Sequence, residues 1–195
     1  MPHTVGILPP AFATAVHELS SYAWDPRIHI RELEPPSQIA PYAAAIDAEV
    51  TWRDEDLGTG RLILLHDPAG NDAWDGDFRC VTFAQAEIGG EMAYDACLAD
   101  VGWSWLLDAL RSADAAHVGE SGTITTTVST PYGTKQFERS SAQIEIRASW
   151  TPLLDHGAGL TAHLTAWEEL LRLVSGLPPE GETVIPLGPR LAVRR

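Results

Sequence analysis

Residues 142–150 read AQIEIRASW, and this stretch decides the fold class. Ala142, Ile144, Ile146, Ala148 and Trp150 alternate with Gln143, Glu145, Arg147 and Ser149. Side chains of a strand point to opposite faces in turn, so one face is apolar and the other polar. The pattern predicts a half-buried strand. Upstream lies GTITTTVST, residues 122–130, rich in β-branched residues. The connection PYGTKQFERS between them suits an antiparallel pair.

Further upstream, Arg61–His66 (RLILLH) and Asp77–Gln85 are strand candidates flanking a connection rich in turn formers. Residues 53–60, RDEDLGTG, read as a turn or loop, and 28–33, IHIREL, as a short strand. Helices are predicted over about 10–23, 38–50, 90–113 and 159–175 from apolar residues at helical spacing. In the second, Ile39, Tyr42, Ala43, Ile46 and Val50 form the stripe; in the third, Met92, Ala96, Ala99, Trp103, Leu106 and Leu110 do. The expectation is a two-layer α+β domain over residues 1–176. It has a mainly antiparallel sheet of about four strands in two consecutive pairs, with helices on one face. The Pro- and Gly-rich residues 177–195 read as a loosely held tail.

Composition narrows the function. The 195 residues carry a formal charge of −14, with 45% hydrophobic and 21% charged residues. That is too apolar for a disordered chain and too acidic for neutralising nucleic-acid phosphates. Direct nucleic-acid binding is therefore not expected. No run is long and apolar enough to span a bilayer, so neither is membrane insertion. The N-terminus lacks the features of a signal peptide, which makes the cytoplasm the expected location. Cys80 and Cys97 both lie in apolar patterns and read as core residues.

The charge is concentrated. Residues 45–120 hold 16 acids and four arginines, a balance of −12. This reads either as a solvated acidic face or as a docking face for a basic protein partner, such as a nucleic-acid enzyme. A homodimer stays open.

Two segments carry candidate binding residues. In HDPAGNDAWDGDFR, residues 66–79, these are Asp67, Asp72, Trp74, Asp75, Asp77 and Arg79. His66 beside carboxylates could serve a general base, and Asp75 with Asp77 a cation. Equally, the run is an ordered hairpin loop in which Arg79 pairs with an aspartate. In VGWSWLL, residues 101–107, Trp105 falls on a face with Leu98 and Val101, away from the Trp103 stripe. That second apolar face reads as a contact surface made by Leu98 and Trp105, or as packing under a loop. The histidines lack ligand spacing, and no serine has a nucleophile-elbow context. No metal, cofactor or catalytic residue is expected.

The runs LLHDPAGNDAWDGDFR, ADVGWSWLLDAL, GTITTTVS, IEIRASWTP, HLTAWEELL and SGLPP resemble an actinobacterial family, domain of unknown function 3000. The resemblance covers about Pro9 to Pro179. It implies no activity, substrate or site residue. Genes of the family neighbour one for a ribonuclease-D-like protein, which implies a link to RNA metabolism. The leading expectation is a non-enzymatic interaction or regulatory protein with an acidic docking face. The alternative is a small-ligand binder or enzyme centred on residues 66–79. A third is an acidic mimic of a phosphate backbone.

Overall fold

The computed structural model describes residues 8–36, 38–90, 92–135 and 140–178. Its elements run α1 (Pro10–Ser21), β1 (Ile28–Leu33), β2 (Tyr42–Trp52), β3 (Glu55–Asn71), β4 (Gly76–Ile88), α2 (Leu98–Ser112), β5 (His117–Ser129), β6 (Ser141–Pro152) and α3 (Leu160–Val174). All six strands form one antiparallel sheet in the order β1-β2-β3-β4-β6-β5. The α+β class and the single helical layer match the sequence reading. The strand count does not: a four-stranded meander joins the β5–β6 hairpin through β4 and β6.

The largest correction is β2, read above as a helix. Spacings of four satisfy a period of two as well as one of 3.6, so Tyr42, Ile46 and Val50 fit both elements. The strand wins because it pairs on both sides, with β1 and with β3. A second correction concerns residues 53–60. Trp52 pairs with Glu55, leaving a two-residue loop of Arg53 and Asp54, both at positive φ (52° and 65°). That is the backbone of a tight primed hairpin turn, usually built with Asn-Gly or Asp-Gly. Arg-Asp lacks the signal, so the strand beginning at Glu55 reads as a loop. The third helix is also shorter than its pattern: α2 starts at Leu98, and residues 92–94 form a separate 3-10 turn.

The helices cover the sheet face bearing Ile46, Leu62, Leu64, Cys80, Ala84, Ile144, Ile146 and Trp150, all buried. Core positions of α3 include Leu160, Leu164, Trp167, Leu170 and Leu171. The Trp167 indole N–H donates to Thr82 Oγ1 at 2.7 Å, and that hydroxyl donates to the Arg61 carbonyl at 3.1 Å. The one polar side chain of β4 on this face is thereby satisfied, as burial requires. Gly60 lets α3 approach β3: a Cβ there would lie 2.4 Å from Leu171 Cδ2. Cys80 is buried as expected, but Cys97 is exposed, immediately before α2. Leu177 is buried and Arg27 Nη1 donates to the Pro178 carbonyl at 2.8 Å, so ordered packing passes residue 176. The rest of the expected tail lies outside the described residues.

Candidate functional site

Among the described residues, no helix lies on the sheet face opposite α1, α2 and α3. Alternation along each strand assigns its residues. From β3 come Arg61 and Ile63, from β4 Arg79, Val81 and Phe83, from β6 Glu145, Arg147, Ser149 and Thr151, and from β5 Ser121 and Thr123. Twist makes the face concave, and it forms a groove of about 830 Å³. Ile63, Val81 and Phe83 make an apolar floor. The Arg147 guanidinium lies 5.6 Å from the centre of the Phe83 ring while Nε donates to Glu145 at 2.6 Å. Across the groove, Asp47 accepts from Arg61 Nε at 3.0 Å and from Arg31 Nη2 at 3.1 Å. This groove has a sequence signature only in part. The polar alternation of residues 143–149 is visible, but not what the strands beside it place across from it.

Arg79 sits at the end of this face and is 8% exposed. It does not pair with an aspartate. Nη1 donates to Thr151 Oγ1 at 3.0 Å, and Nη2 to Ser149 Oγ at 2.7 Å and to Ser121 Oγ at 3.3 Å. The Thr151 hydroxyl in turn donates to the Trp74 carbonyl. Burial lowers the Arg79 pKa, with Cys80 and Glu120 pulling the other way. An arginine stays protonated in a protein regardless. The guanidinium thus joins β4, β6 and β5 to the β3–β4 connection through hydroxyls. Among the described residues it has no ion pair.

The rest of the 66–79 segment diverges. His66 is buried in the helix-covered face, stacked on Phe78 (centroids 4.1 Å apart), with Nδ1 3.0 Å from the Asp77 carbonyl. Asp72, Asp75 and Asp77 are exposed; Asp67 is half-buried, its Oδ1 accepting from the Ala69 N–H. Trp74 is half-buried and contributes its carbonyl. His66 and these carboxylates therefore do not converge on one pocket. No group of three or more potential metal ligands occurs among the described residues. The 16 acids of residues 45–120 are also dispersed. Asp54–Asp56 and Asp72–Asp77 flank opposite ends of β3, while Asp100 and Asp108 lie on α2.

On α2, Leu98 is buried in the core and cannot form the expected contact surface. Trp105 is half-buried and packs against the core, whereas Val101 is 41% exposed. The true inward stripe is Leu98, Gly102, Leu106, Ala109 and Leu110. It lies between the predicted Trp103 stripe and the Trp105 face, so Trp103 and Trp105 are both half-buried at its flanks.

The outer edge of the sheet beyond β6 is β5. Its backbone bonds run to β6, and no described segment pairs with its other edge. Residues 121–129, SGTITTTVS, contain no charge and no proline. Among the described residues, no helix is long and apolar enough to cross a membrane. No curated protein and no solved structure matches this chain. A family model, protein of unknown function DUF3000, matches residues 8–184. The chain belongs to that family.

Proposed function

We propose that this is a non-enzymatic interaction protein that takes an extended segment of a partner protein onto the free edge of β5. The carrying observation is that edge: 13 residues long, with its outward backbone groups unpaired among the described residues. Soluble proteins ordinarily blunt such edges with lysine, proline or a short strand. Here the nine residues 121–129 use none of these in a chain of net charge −14. An added strand gains main-chain hydrogen bonds from the edge and side-chain selectivity from the adjoining surface. Ser121 and Thr123 of β5 also line the groove, so a docked strand would border its apolar floor. The acids at the hairpin ends favour a partner that is basic overall. The dispersal of His66 and the 67–77 carboxylates leaves no convergent set for the enzymatic alternative.

Photocrosslinking tests the reading. A benzophenone side chain at Thr125 should capture one defined segment of another protein, and the same group at exposed Asp108 on α2 should not. Thr125→Lys in a chain carrying the probe at Thr127 should abolish capture. No adduct, the same adducts at both sites, or adducts with this chain's own peptides would overturn it; the last would make the partner a second copy.

A further inference from the structure

Arg79 is more than nine-tenths buried, cationic, and held only by hydroxyls among the described residues. A buried charge normally carries a counter-charge, because desolvation is costly without one. The carboxylate whose field Arg79 feels is Glu120, which lies 3.9 Å from His117 Nε2 and forms no ion pair with Arg79. Two of the hydroxyls, Ser121 and Ser149, line the groove. Both accept from Nη2, and their oxygens are 3.5 Å apart. Only one of their two protons can be shared between them. At least one O–H is therefore free to donate into the groove, backed by a guanidinium charge. Thr151 is not part of this donor set, since its proton is committed to the Trp74 carbonyl.

We propose that Ser121, Ser149 and Arg79 form a carboxylate-binding subsite at the end of the groove. A carboxylate there accepts from the serine hydroxyls and supplies the negative charge that the buried guanidinium lacks. Charge-assisted hydrogen bonds are roughly twice as strong as neutral ones, so the site favours an anion over a neutral amide of the same shape. Two sources fit this chemistry. One is the C-terminal carboxylate of a docked segment: a strand added antiparallel to β5 ends toward Ser121. The other is an acidic side chain. The subsite deepens the β5-edge reading but can be tested without any partner.

The test is a titration of isotopically labelled protein, followed by NMR at constant ionic strength. Acetate represents an acidic side chain, N-acetylglycine a chain terminus, and acetamide is the neutral control. Either carboxylate should give saturable shifts at the Ser121 and Ser149 amides and at the Arg79 guanidinium, and acetamide none. In Ser121→Ala/Ser149→Ala, which keeps the Arg79–Thr151 bond, affinity should fall roughly tenfold or more. Should that variant not fold, Ser121→Ala alone, which loses the longer bond, replaces it with a smaller drop expected. Tighter binding of N-acetylglycine assigns the terminus; equal or tighter binding of acetate assigns the side chain. No saturable shift with either carboxylate, an equal response to acetamide, or undiminished affinity in the serine variants would overturn the subsite. Failure of the crosslinking alone would remove the partner and leave the subsite standing.

Discussion

The Trp150 indole N–H donates to His163 Nδ1 at 3.1 Å, with both side chains shut off from solvent. This fixes His163 as the tautomer carrying its proton on Nε2. Burial pushes its pKa down to about 4, assisted by His117 and opposed by the Ala116 backbone. The unfolded chain takes up this proton near 6.5 and the folded chain only near 4. Between those values the unfolded state binds more protons, so stability falls as pH falls. The full window is worth up to about 3 kcal/mol. Urea unfolding at a series of pH values should show this loss in the native sequence. It should be clearly smaller in His163→Gln, which keeps an acceptor for Trp150 but does not titrate.

Asp25 is the second electrostatic anchor. Its carboxylate accepts from Arg27 Nη2 at 2.6 Å and Nε at 2.9 Å and from Arg172 Nη1 at 2.5 Å, tying the start of β1 to α3. The Arg27 hydrogen bond holds its pKa below the usual value although burial opposes this. Removing one partner of a buried pair leaves the other uncompensated, typically a loss of about 3 kcal/mol. Asp25→Ala should lower the urea midpoint accordingly, and Arg172→Ala should cost less, because Arg27 remains.

Helix α3 lacks a cap of its own. Gly159 at its start has no side chain, and Glu18 from α1 supplies the acceptors. Oε1 takes the Gly159 N–H at 2.9 Å and Oε2 the Thr161 N–H at 2.7 Å. Glu18→Ala should cost about 1 kcal/mol, as loss of an N-cap does. Amide exchange should accelerate at the first turn of α3 rather than at its end.

Gly157 sits at φ +87°, and a Cβ there would lie 1.8 Å from the Ala11 carbonyl oxygen. The obstacle is backbone, so no rotamer change relieves it. Gly157→Ala should destabilise by more than about 1 kcal/mol, the ordinary scale of such strain, visible as a drop in Tm. By contrast Val101→Ser, on exposed α2 surface, should stay within about 0.5 kcal/mol of the native sequence.

Most elements are legible in the sequence: α1, β1, β5, β6, α3 and the cores of β3 and β4 lie where spacing and composition place them. β2 escaped because Tyr42, Ile46 and Val50 recur at a spacing that both periods share, and alanines between them favour a helix. Only pairing with β1 and β3 decides it, and pairing is a long-range property. For the site, Arg79 was identifiable but its partners were not. Ser121 and Ser149 reach it because β5 and β4 flank β6, an adjacency no local pattern encodes. Leu98 was misplaced because the inward face of α2 lies between the Trp103 stripe and the Trp105 face, which is settled by packing against the sheet and α3 rather than by local spacing.

The strand order also has a consequence for biosynthesis. β1 to β4 are consecutive neighbours and can pair as soon as residue 88 is made. Their inner face, with Leu62, Leu64, Cys80 and Ala84, is roofed largely by α3, which ends at Val174. At a usual translation rate of about 5–20 residues per second, the meander spends several seconds with its roof unmade. Ribosome-bound chains halted between β4 and α3 expose that apolar sheet, and are the form of this protein most in need of a chaperone.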